Sequence, residues 1–222
     1  MPRKLRNVRE ARDGDWMKDI VISVEQMRKS DAYTIENFVS SKELMYRAAM
    51  GVYNAYAEWK DKTIAIVVGG GNNGGDGYAL AGILQKNGVN PTVIRVSEKM
   101  SEDGKHYHDL AVASGVVIEK YTEETDFASY DVIVDCILGT GFVGEVRGEA
   151  KNAIDAINKC NAYVISVDIN SGMNGDTGEA FTAVDSDLTV SIGYLKTGLV
   201  SDEAKKHIKK LTNIDIGIVL AE

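Results

Sequence analysis

Three glycine-rich turns, each set directly after a short apolar run, constrain this chain more than any other feature. Gly69-Gly70-Gly71-Asn72-Asn73-Gly74-Gly75-Asp76-Gly77 follows Ile64-Ala65-Ile66-Val67-Val68. Asp135-Cys136-Ile137-Leu138-Gly139-Thr140-Gly141 follows Asp131-Val132-Ile133-Val134, and Asp168-Ile169-Asn170-Ser171-Gly172 follows Tyr163-Val164-Ile165-Ser166-Val167. A brief, β-branched apolar run bounded by turn residues is the pattern of a strand buried on both faces of a parallel sheet. Ligands of such sheets sit beyond the carboxyl ends of the strands. Three turns of this kind therefore outline one pocket wall, rich in backbone N–H groups and poor in side-chain bulk. That surface suits phosphate and ribose.

The rest of the chain alternates in the same manner. Val24, Met27, Ala32, Ile35 and Phe38 recur at helical spacing, and a second helix is predicted over 41–59 with Ser41 as its N-cap. Further helices are predicted over 76–86, 101–114 and 149–159. Strands are expected at 63–68, 91–96, 116–119, 131–135, 163–168, 187–192 and 214–219. Strands alternating with helices predict an α/β fold, a three-layer αβα sandwich around a mostly parallel, Rossmann-like sheet. No repeat or proline-rich hinge divides the chain. The reading is a basic, solvated and flexible N-terminal arm over 1–21 and one domain over 22–222.

Composition narrows the function classes. Thirty-three acidic residues against 25 basic ones give a net charge of −8, which argues against general nucleic-acid binding. Cys136 and Cys160 are too few for a disulfide scaffold, and point to a reducing, cytoplasmic setting. No apolar run approaches the roughly 18 to 20 residues of a membrane span. The arm carries Arg3, Lys4, Arg6, Arg9 and Arg12, but also Glu10, Asp13 and Asp15, unlike an acid-poor transit peptide.

Each turn carries chemistry. Gly69-x-Gly71-x-x-Gly74 matches a dinucleotide fingerprint between strand and helix, yet the turn also holds Asn72, Asn73 and Asp76, where a dinucleotide fold keeps small residues. Asp76 suits both capping of the next helix and ligand binding. Asp135 and Asp168 each end an apolar strand, where a carboxylate costs free energy unless donors or a cation satisfy it. Gly139-Thr140-Gly141-Phe142-Val143-Gly144-Glu145 offers free N–H groups, a nest for phosphate. Hard oxygen donors from Asn73, Asp135, Asp168 and Ser171 suit an alkali or alkaline-earth cation rather than zinc. His106, His108 and His207 show no ligand spacing. Lys196 reads equally as a cation near the crevice and as a solvated side chain.

These motifs, together with Glu25-Gln26-Met27-Arg28, Asp31, Leu44-Met45, Ala48-Ala49, Lys196-Thr197-Gly198-Leu199 and Asp215-Ile216-Gly217-Ile218, resemble the NAD(P)H-hydrate epimerases, the YjeF N-terminal domain family. The resemblance spans about residues 22–219. It implies a dimeric enzyme that interconverts the R and S forms of hydrated NADH and NADPH, a nucleotide repair step. It further implies that Asn72, Asn73, Gly74, Gly75 and Asp76, the loop Gly139, Thr140, Gly141, Phe142, Val143, Gly144 and Glu145, and Asp168 bind the hydrated dinucleotide. Asn73, Asp135 and Ser171 would hold a potassium ion, and Asp168 would serve as the acid–base residue. A dehydratase on a separate polypeptide would consume the S form. Two positions depart from the family pattern. Asn170 replaces a proline, and Val143 stands where a basic residue is common, with Arg147 a distant substitute. Two other readings compete: an NAD(P) dehydrogenase, for which Arg95-Val96-Ser97-Glu98 gives an ambiguous ribose-binding strand end, and a non-catalytic nucleotide-binding or scaffold module of the same fold.

Overall fold

In the computed structural model, which describes residues 20–222, the alternation becomes a twisted parallel sheet. The basic arm therefore lies outside the described residues, apart from its last two positions. One of these, Val21, already belongs to a strand: β1 (Val21–Ile22) pairs in parallel with β8 (Leu195–Lys196), a small second sheet that the sequence did not announce.

The main sheet holds β2 (Ile64–Val68), β3 (Thr92–Arg95), β4 (Val117–Lys120), β5 (Val132–Cys136), β6 (Tyr163–Val167), β7 (Leu188–Ile192) and β9 (Leu211–Ile214). All pairings are parallel, in the order β4-β3-β2-β5-β6-β7-β9. From β2 the chain builds outward to β3 and β4, then returns to place β5 on the other side of β2. Strand order thus reverses between β2 and β5, and the crevice at such a point is where open α/β sheets bind ligands.

The helices are α1 (Val24–Asn37), α2 (Ser41–Ala55), α3 (Asn72–Lys86), α4 (Glu102–Ala113) and α5 (Gly148–Ile157). Serine hydroxyls start three of them: Ser23 Oγ accepts from Gln26 N, Ser40 Oγ from Glu43 N and Ser101 Oγ from Gly104 N, at 3.1–3.2 Å. The cap of α2 is Ser40, one residue before the expected Ser41, and that helix ends at Ala55. Alternating residues of the buried strands feed two cores. Ile64, Ile66, Val68, Val132, Val134 and Cys136 meet residues of α2, α3 and α4 on one face. Ala65, Val67 and Ile133 meet Ala153, Ile154 and Ile157 of α5 on the other. The result is the three-layer αβα arrangement.

One strand is shifted. The last ladder is Leu211–Ile214, not 214–219. Ile216 and Ile218 do alternate into the core, but Gly217 adopts φ +89° and the segment hydrogen-bonds to helices instead. Arg47 Nη1 donates to Ile216 O at 3.3 Å, and Val219 N donates to Thr34 Oγ1 at 2.9 Å.

Candidate active site

A cavity of about 600 Å³ opens over the β2/β5 reversal, within the range of small-molecule sites. The β2–α3 turn contributes Gly70, Gly71, Asn72, Asn73 and Asp76; the turn after β5 contributes residues 137–142. Asp168 enters from beyond β6, Lys196 from β8, and α1 supplies Met27, Arg28 and Asp31. The three turns therefore do face one space.

The first turn is shorter than expected. Helix α3 begins at Asn72, capped by Gly71 with no side-chain hydrogen bond. Asp76 is consequently not the N-cap; it stands a full turn inside the helix with its carboxyl on the cavity. This early start needs glycine. A Cβ at Gly74 would lie 2.2 Å from Gly69 O, and one at Gly69 would lie 1.9 Å from Ile137 O. Gly74 and Gly75 are thus buried in packing, while the uncapped N-terminus of α3 keeps free N–H groups toward the cavity.

The second turn is organised by Asp135, fully buried at the end of β5. Its Oδ1 accepts from Ser171 Oγ at 2.5 Å and Ile137 N at 3.2 Å; its Oδ2 accepts from Ser166 Oγ and Ser171 N, both at 2.9 Å. Burial pushes this carboxyl above its ordinary range, against those hydrogen bonds. Ser171 Oγ also accepts from Leu138 N at 2.8 Å, and Asn73 Nδ2 donates to Leu138 O at 2.9 Å. Asn73, Asp135 and Ser171 therefore meet around one short stretch of backbone. Asn73 Oδ1 is buried without a hydrogen-bond partner, and Asp135 has no ion-pair partner among the described residues. An orphaned amide oxygen beside a buried carboxylate is a donor set that fits a hard monovalent cation.

In the remainder of this loop, Thr140 and Phe142 line the large cavity and also a smaller one of about 140 Å³, which Val143 lines as well, although Val143 is 77% exposed. Gly139 and Gly141 line the large cavity alone. Gly144 and Glu145 face neither cavity; Glu145 pairs with Arg147 at 3.3 Å on the surface.

The third turn holds the strongest local signal. Asp168 has φ +67°, one of two non-glycine residues with positive φ among those described. A residue held in that region costs roughly 1–3 kcal/mol and marks an imposed geometry. Its carboxylate, with the side chain 18% exposed, accepts directly from Lys196 Nζ, whose own side chain is 1% exposed. Lys196 Nζ also donates to Ile192 O at 2.8 Å. Lys196 is therefore no solvated lysine. Asn170, which stands where the family has proline, fixes the turn by its side chain. Nδ2 donates to Val184 O, Ser186 Oγ and His207 O, while Oδ1 accepts from Thr189 Oγ1.

Sequence reading missed Asp31 as a site residue. Its carboxyl ionises at about 6, raised first by burial and then by the charge of Asp168, with Lys196 opposing. Asp76 is raised well above its ordinary value by burial, then by Asp168 and Asp31. Neither carboxyl has a hydrogen bond or ion pair among the described residues. Asp31 lies on α1 between buried Ser30 and exposed Ala32, and the groups that face it, Asp168 and Lys196, come from distant segments of the chain, which concealed it. The wall thus combines a salt-bridged carboxylate with two carboxyls that burial raises above the ordinary range, an unequal set that suits acid–base work.

Residues 41–198 match the family described as YjeF-related protein N-terminus. The NAD(P)H-hydrate epimerase of Oenococcus oeni is 36% identical over 91% of this chain and 99% of its own length; that of Limosilactobacillus reuteri is 35% identical over 86% and 92%. The bifunctional NAD(P)H-hydrate repair enzyme Nnr of Coxiella burnetii is 35% identical over 87% of this chain, a match that occupies 40% of that protein. The crystal structure of the yeast protein ynu0 shares the fold, with a TM-score of 0.74 and 22% identity over 87% of each chain. Among the described residues no helix is long and apolar enough to cross a membrane. By sequence match and by fold, the chain belongs to the family of YjeF-related protein N-termini.

Proposed function

We propose that this protein is an NAD(P)H-hydrate epimerase, an isomerase acting on hydrated NADH and NADPH. One observation carries the reading: the Asp168–Lys196 pair and the carboxyls of Asp31 and Asp76 line the same cavity as two backbone turns suited to phosphate. The names of its relatives supply the substrate class.

The substrate carries a hydroxyl on C6 of a reduced pyridine ring, beside the ring nitrogen. Protonation of that hydroxyl lets it leave as water, the nitrogen lone pair forming a conjugated iminium. Water adding to the opposite face and losing a proton completes the inversion. Asp76, raised well above its ordinary value by burial, is the carboxyl placed to protonate the departing hydroxyl, with Asp31, raised to about 6, beside it. Asp168, paired with Lys196, stabilises the cationic ring and accepts the proton of the incoming water. Acid–base assistance of this kind contributes roughly 10²–10⁴-fold. Asn72, Asn73 and Asp76 of the first turn and Gly139, Thr140, Gly141 and Phe142 of the second line the large cavity and bind the dinucleotide, with Val143 at the smaller cavity beside them. Gly74 and Gly75 serve by letting α3 start early, while Gly144 and Glu145 stand clear of the ligand. Asn73, Asp135 and Ser171 would hold a potassium ion, which would neutralise Asp135 and lend positive charge to the binding of ligand oxygens.

The same reading places the protein in the cytoplasm, working with a dehydratase that consumes the S form; the repair enzyme of Coxiella burnetii, bifunctional by name, supports that coupling. It also makes the protein a homodimer. Phe38, 60% exposed just beyond the C-terminal end of α1 and edge-on to Tyr33 at 5.7 Å, supports a self-association face there. Purified R-hydrate incubated with the protein, with the S form followed by chiral chromatography, tests the activity. Acceleration over buffer supports it, whereas a rate equal to buffer overturns it.

A further inference from the structure

The cavity is acidic: Asp31, Asp76, Asp103 and Asp168 all line it. Against them stand two cations, Lys196 and Arg28. Lys196 is engaged by Asp168 and Ile192 O. Arg28 makes no ion pair with any described residue. Its nearest acids on the helix are otherwise disposed, since Glu25 pairs with Lys29 at 2.6 Å and Asp31 has no cation in contact. Across the smaller cavity, Asp176 accepts from Val24 N at 2.7 Å.

The guanidinium is also specifically placed. A Cβ at Gly141 would lie 3.8 Å from Arg28 Nη2, so the group hangs over the turn of residues 139–142. Arg28, Thr140 and Phe142 are shared by the large cavity and the small one. A dinucleotide brings at least two negative charges into this acidic space. They are repelled wherever carboxylates are uncompensated and attracted where an unpaired guanidinium meets free backbone N–H groups.

We infer that Arg28 is a ligand-binding residue that clamps the ligand's pyrophosphate above the turn of residues 139–142, and so directs the reduced ring to the Asp168–Lys196 pair. The inference rests on the proposed dinucleotide substrate and adds its orientation. With the phosphates at Arg28, the reduced ring is the part left to reach Asp168, which lines the same cavity. Reversal would bring the phosphates against the carboxylates. Because the pyrophosphate is common to both hydrates, the clamp serves the NADH and NADPH forms alike.

The test is Arg28→Gln in the full chain, with Arg28→Lys beside it, read by KM for both hydrates and by calorimetric titration with ADP-ribose. Loss of a charge-assisted contact predicts a rise in KM and in ADP-ribose Kd of about ten- to a hundredfold for Arg28→Gln, with partial recovery in Arg28→Lys. The loss falls on KM more than on kcat, and salt weakens ADP-ribose binding to the wild type more steeply than to Arg28→Gln. Unchanged ADP-ribose affinity in Arg28→Gln overturns the clamp, as does a KM effect confined to the NADPH hydrate, which would move Arg28 to the 2′-phosphate. Failure of the wild type to epimerise would overturn the enzyme reading instead, and the ADP-ribose titration would still decide the role of Arg28.

Discussion

Replacing Asp31 by Asn should make this protein more stable while making it a poorer enzyme. Asp31 ordinarily would release its proton at 3.8 and here does so at about 6, chiefly through burial and then through the facing Asp168. The native state therefore binds this proton more tightly than the unfolded chain. The stabilisation from that proton is fully present below about pH 4 and is lost as pH rises through 6. At about 1.4 kcal/mol per pH unit, the ionised carboxylate at pH 7.5 carries a cost of roughly 3 kcal/mol. Asparagine, nearly isosteric and uncharged, removes it. Urea unfolding at pH 7.5 should show Asp31→Asn to be more stable than wild type by up to roughly 3 kcal/mol, about 6–12 °C in Tm for a domain of this size. At pH 4 the two proteins should converge. Equal stabilities at both pH values, or a variant weaker at pH 7.5, would refute the assignment of a strained, unpaired carboxyl. A destabilising group retained in a cavity wall is the usual signature of a residue kept for function.

Other outcomes follow from the same wall. Asp168→Asn keeps the positive φ, which asparagine tolerates, and should lose epimerisation by roughly 10²–10⁴-fold in the chromatographic assay, with some loss of stability because Lys196 is left buried without its counter-charge. Lys196→Met breaks the buried ion pair and strands Asp168, so chemical denaturation should show a loss of about 3 kcal/mol. Potassium chloride should stabilise the fold over an equal concentration of choline chloride, by about 1.4 kcal/mol once the ion exceeds its Kd tenfold, seen as a higher Tm, and Asn73→Leu should abolish that difference.

Much of the fold was legible because β-branched runs and turn residues leave a strong local signature. The strands over 64–68, 132–136, 163–167 and 188–192 fall within a residue or two of their expected ends. Where the reading failed, tertiary partners had overridden local pattern. Helix α3 absorbs Asn72 to Gly75 because its glycines pack against Gly69 O and neighbouring helices, which no propensity scale registers. The final ladder uses Leu211-Thr212-Asn213-Ile214, with Asn213 Nδ2 donating to Gly193 O, while the strand-like alternation after it is docked on α1 and α2. Paired strands of two residues, such as β1 and β8, are too short for any period to show.

The site was legible in the same uneven way. Asp135, Asp168 and Asn73 stand out because a polar residue at a strand end or in a glycine turn is costly without a purpose. Arg28 was not legible as a site residue, since an exposed helical position carries charge for solubility as a matter of course, and Asp31 was not, since Asp168 and Lys196 face it only in the folded chain. Lys196 became distinct only when β8 carried it beneath Asp168. Asn170 shows that a departure from a family pattern can be compensated by side-chain hydrogen bonds, here four of them on one buried amide.

The most direct test is a crystal structure of the protein with hydrated NADH bound. The account predicts the C6 hydroxyl of the reduced ring within hydrogen-bond distance of Asp168 and the pyrophosphate over residues 139–142. A ring bound at another edge of the sheet, or a dinucleotide lying in the opposite direction through the cavity, would contradict it.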